Sequence, residues 1–98
     1  MSNGIHSHKV TAVRPGDVMR HAELDQTVDV IGVKGNWVEF VDRQAFNSLR
    51  YLEEDVFVEA FRWVRNSPVI YSTWADKRGD MLAEARQQGI MVPREFSA

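Results

Sequence analysis

Two alternating runs rich in β-branched and aromatic residues, Val28–Val33 and Trp37–Asp42, flank Lys34-Gly35-Asn36. Such runs around a Gly-Asn turn are the strongest short-range signal for a β-hairpin, because a two-residue loop needs positive φ, which Gly adopts freely and Asn tolerates. Strict alternation places Val28, Val30, Val38 and Phe40 on one face and Ile31, Val33, Trp37 and Val41 on the other. An antiparallel sheet commonly keeps one face polar. A hairpin that is apolar on both faces needs a cover for the second, from elsewhere in the chain or from a partner.

At 98 residues and 44% apolar content, the chain is expected to form one small domain without staples. It contains no cysteine, which excludes disulfides, thiolate metal sites and a cysteine nucleophile, and fits a reducing compartment. Met1 to His8 carry no apolar stretch of signal-peptide length and no run approaches a membrane span. A cytoplasmic protein with no membrane association is expected. Twelve basic and fourteen acidic side chains give a net charge of −2, and most arginines are dispersed among acids. Duplex-DNA binders are usually basic on one face, so nucleic acid is disfavoured as a partner, with Arg43, Arg50, Arg62 and Arg65 the one local patch.

Along the chain, residues 1 to 8 read as a polar tail. Lys9 to Val13 reads as a short strand, Arg14-Pro15-Gly16-Asp17 as a turn, and Val18 to Arg20 as a brief pairing segment. The hairpin spans roughly Thr27 to Asp42, followed by a polar connection over Arg43 to Asn47 and a strand over Ser48 to Leu52. Glu53-Glu54-Asp55 then precede Phe57, Ala60, Phe61 and Val64, whose spacing predicts a helix with acids at its positive end. Phe61 to Val64 also suit a closing strand. Asn66-Ser67-Pro68 ends that region and Val69–Tyr71 reads as extended. Thr73 with Asp76 resembles a capping box, and Trp74, Arg78, Met81, Leu82 and Ala85 follow at helical spacing on to Gly89, a C′ glycine, with Pro93 beyond. Gly79 inside this helix suggests a kink or a close contact. The expected architecture is α+β: a small bent antiparallel sheet or partly closed barrel over residues 9–66, with a short helix, and a helical segment over 69–98.

Pro15-Gly16-Asp17, Val28-x-Val30, Gly35-x-Trp37-Val38-x-Phe40, and Phe57 with Phe61 before Val64 together resemble the small Src-homology-type barrels found in phage and prophage accessory proteins. The resemblance covers residues 10 to 64. It implies a barrel and a binding module, and it transfers no functional residue.

Candidate chemistry is sparse. His6, His8 and His21 offer imidazoles, but nothing supplies the third and fourth ligands a metal needs, so no metal site is assigned. Glu53, Glu54, Asp55 and Asp42 offer carboxylates, but acids at a helix start are already explained by the helix dipole. No nucleophile elbow, glycine-rich phosphate loop or paired histidine is present. The chain is therefore expected to be neither an enzyme nor a cofactor binder. Of the aromatics Trp37, Tyr51, Trp63, Tyr71 and Trp74, most are expected in the core. Trp37 and Tyr51, with Arg50, Arg62 and Arg65, form the candidate partner-binding group, since Trp, Tyr and Arg dominate protein hot spots. The expected function is non-enzymatic binding of another protein, as a phage or mobile-element accessory factor that binds or inhibits a host defence component. The alternative is a nucleic-acid-binding small barrel using Trp37, Tyr51 and the nearby arginines.

Overall fold

Gly35, at φ 59°, turns the hairpin between β2 (Thr27–Lys34) and β3 (Trp37–Asp42), with Lys34 opposite Trp37. Asn36 keeps a negative φ. Positive φ at the first central residue alone is the pattern of a II′ turn. The computed structural model describes residues 13–97. The tail expected over 1–8, with His6 and His8, and most of the strand expected over Lys9 to Val13 lie outside them.

Before the hairpin runs β1 (Asp17–His21), and after it come a 3-10 turn (Arg43–Ala45) and β4 (Ser48–Glu53). Helix α1 (Glu54–Ala60), β5 (Phe61–Asn66), helix α2 (Pro68–Gln87) and a second 3-10 turn (Arg94–Phe96) complete the chain. The strands form one bent, open antiparallel sheet in the order β4-β3-β2-β1-β5, giving an α+β domain.

Both hairpin faces are covered by the chain itself. Met19, Val28, Val30, Val38 and Phe40 form one core with Val13, Phe57 and Phe61. Phe57, the buried residue of α1, stacks on Phe61 with ring centroids 4.7 Å apart. On the other face Ile31, Val41 and Leu49 pack with Ala85 of α2, flanked by Tyr51, Trp74, Met81, Leu82 and Ile90. One expected position moves. A bulge sets Ile31 and Gly32 together opposite Glu39, so the alternation slips by one and Val33 packs with the Val30 and Val38 face.

The first helix boundary follows the closing-strand reading of Phe61 to Val64, and the second differs from expectation. Helix α1 stops at Ala60, and Phe61–Asn66 forms the closing strand against β1. Val64 is consequently not part of a buried helical stripe and is 47% exposed. Helix α2 starts earlier than the Thr73 box: Ser67 is its N-cap, accepting from the Ile70 N–H, Pro68 occupies the first turn, and Val69–Tyr71 are helical. Thr73 instead donates its hydroxyl to the Val69 carbonyl. Gly79 needs neither kink nor close packing, since a Cβ there would meet nothing within 4 Å. No helix among the described residues is long and apolar enough to cross a membrane.

Candidate functional site

Four acids lie in or at the sheet with little exposure: Asp17, Asp29, Glu39 and Asp42. Buried carboxylates are costly unless paired, and each is satisfied internally. Asp29 receives both Nε and Nη2 of Arg43, at 3.0 and 2.7 Å, and the Trp74 indole N–H at 2.7 Å. Glu39 receives Nε and Nη2 of Arg78, both at 2.7 Å, and the Tyr51 hydroxyl at 2.7 Å. Trp74 and Arg78 are one helical turn apart, so α2 is clamped to the sheet through two carboxylates. Asp17 accepts from the Trp63 indole, the Asn66 amide and the Arg14 N–H, and Asp42 from Gln26 and the Gln44 N–H. These contacts make the acids structural. Burial, followed by the bond to Glu39, pushes the Tyr51 hydroxyl above its usual range. Burial, with Asp55 beside it, likewise raises the Glu54 carboxyl.

Among the described residues no three His, Asp or Glu side chains are gathered as a metal would require. His21 holds its ring by accepting from the N–H groups of Glu23 and Leu24 at Nδ1 and packs edge-on against Phe61.

The expected partner-binding residues do not form one patch. Trp37 is half-buried at the hairpin end, opposite Lys34 and Glu53. Tyr51 lies on the α2 side of the sheet, its ring 5.4 Å from Phe96 and its hydroxyl held by Glu39. Arg50, opposite Phe40, lines a cleft of about 320 Å³ where the bent sheet brings β4 toward the α1–β5 corner. A second, larger cleft of about 730 Å³ adjoins it through His21 and Ala60 and is lined also by Arg62. Arg62 and Arg65 stand on β5, at the opposite edge from β4.

Strand β5 is the most accessible strand. Only Phe61 of its six residues is buried, while Trp63 is 57% exposed. It pairs with β1 on one side and, among the described residues, with no strand on the other. A bulge opposite Val18 and Met19 leaves Val64 outside the pairing register. Sequence reasoning missed three supporting parts: the carboxylate clamps, the β5 edge, and Phe96, which closes over Gly32 at 3.0 Å from where a Cβ would stand. Comparison with known protein families, with curated proteins and with solved structures finds no match.

Proposed function

We propose that this protein is a non-enzymatic module that binds another protein through the β5 edge. The observation that carries this is the exposed strand Arg62-Trp63-Val64-Arg65, an apolar pair between two arginines on an edge with no second neighbour among the described residues. Extended segments add to such edges by backbone hydrogen bonds, and Trp and Arg are the side chains that most often anchor an interface. Nucleic acid is the weaker reading. Tyr51 offers no free stacking platform, Arg20 is paired with Asp25, and the Arg62 guanidinium faces the α1 carbonyls.

The test is affinity capture from the native host with the wild type and with Arg65→Glu, each paired with a melting curve. Arg65 is exposed, so reversal is expected to change stability by no more than about 0.5 kcal/mol. Loss of the captured protein at unchanged melting temperature supports the interface. Charged side chains also protect edges from self-pairing. If that is their whole role, Arg65→Glu retains the captured protein, and the proposal fails.

A further inference from the structure

Of the two partly buried arginines among the described residues, Arg78 and Arg50, only Arg78 has a carboxylate partner. Arg43 and Arg78 each meet a buried carboxylate through two nitrogens, and Arg20 meets Asp25. Arg50 is partly buried like Arg78, yet among the described residues its guanidinium makes one bond, from Nη1 to the carbonyl of its neighbour Leu49. A guanidinium carries five N–H donors and is matched to a planar, two-oxygen acceptor. Keeping that charge partly out of water with no counter-ion among the described residues is unfavourable.

The cleft beside Arg50 supplies the rest of a site. Leu52 gives it an apolar wall, and the edges of the otherwise buried Phe40 and Phe61 rings, 5.9 Å apart, form its floor. Its volume, about 320 Å³, falls at the lower end of small-ligand sites. Among the described residues Asp42 is the one carboxylate on the lining, and both its oxygens already accept from Gln26 and the Gln44 N–H. Its charge disfavours a dianion and leaves a monoanion as the better match for Arg50.

We propose that this cleft binds a small monocarboxylic acid with an aromatic or branched hydrocarbon body, its carboxylate on Arg50 and its body against Phe40, Leu52 and Phe61. The proposal is independent of the β5 edge.

The test uses the intact chain and two-dimensional NMR titration with 3-phenylpropionate, its amide, acetate, inorganic phosphate, and an acetylated dipeptide ending in phenylalanine. Saturable shifts centred on Arg50, Leu52 and Phe61 are expected with phenylpropionate, about tenfold weaker or absent with the amide, acetate and phosphate. Comparing acid with amide on the wild type requires no variant, so a poorly folding mutant cannot obscure the result. Arg50→Gln, checked for an unchanged melting curve, is expected to abolish the preference for acid over amide. Equal binding of acid and amide, equal binding of acetate, or no saturable shift at the cleft overturns the proposal. If the dipeptide binds more tightly than phenylpropionate, the carboxylate comes from a peptide C-terminus. The reverse order points to a free acid.

Discussion

Gly35 and Tyr51 show how far single residues were legible. The Gly-Asn pair announced the turn because few residues accept positive φ. Gly35 adopts it, and a Cβ there would also lie 3.2 Å from the Glu95 carboxylate. Gly35→Val is therefore expected to lower stability by more than about 1 kcal/mol, and an unchanged urea midpoint would reject the turn. Tyr51 was legible only as an aromatic with a polar tip. Its role depends on Glu39 and on the cover supplied by Phe96, and no local pattern encodes either. Because the folded state holds the phenolic proton more tightly than the unfolded chain, the stabilisation linked to it is complete below the ordinary value of 10.0. It is lost as pH rises above that value. Urea midpoints are expected to fall above about pH 10 in the wild type and less steeply in Tyr51→Phe. Identical pH profiles would show that Tyr51 is not held as described.

Elements were most legible where periodicity was unambiguous. Trp74, Met81, Leu82 and Ala85 share a helical face, and α2 does lay them on the sheet. Phe61 to Val64 fits both periods, and the outcome there turns on pairing with β1, a contact remote in sequence. The bulge at Ile31 is equally remote, since it depends on what stands opposite in β3. Nothing near Asp29 and Glu39 in the sequence announces their burial, because their partners Trp74 and Arg78 lie 45 and 39 residues away. Buried ion pairs add little net stability, but removing one partner strands the other. Arg78→Met is therefore expected to cost about 3 kcal/mol, and Glu39→Gln with Arg78→Met together less than the sum of the singles. Additive losses would remove the clamp from this account. Arg62 was expected to be a partner-binding arginine. Its Nη1 lies 3.0 Å from the Glu59 carbonyl and close to those of Val58 and Phe61, at the C-terminal end of α1. Arg62→Glu is thus expected to lower stability by about 1 kcal/mol where Arg65→Glu does not, because an acid at that end opposes the helix dipole. Equal melting temperatures for the two variants would show that Arg62 caps nothing.

Among the described residues, both sheet faces are covered by the chain's own helices and β5 is left as the exposed strand. The need for a second cover was visible in the doubly apolar hairpin. The location of the accessible edge was not, because strand order depends on which strands pair. Removing residues 68–97 is expected to expose the face built on Ile31, Val41 and Leu49 and to leave Asp29 and Glu39 without their α2 donors. The remnant should bind hydrophobic dyes or aggregate, and a monomeric, cooperatively melting remnant would make α2 an independent arm. The most direct test of the β5 interface is amide hydrogen exchange on the wild type, alone and saturated with the protein it captures. Slowed exchange concentrated at Trp63, Val64, Arg65 and Asn66 is the expected result. Protection elsewhere, with β5 exchanging as fast in the complex as in the free protein, would contradict it.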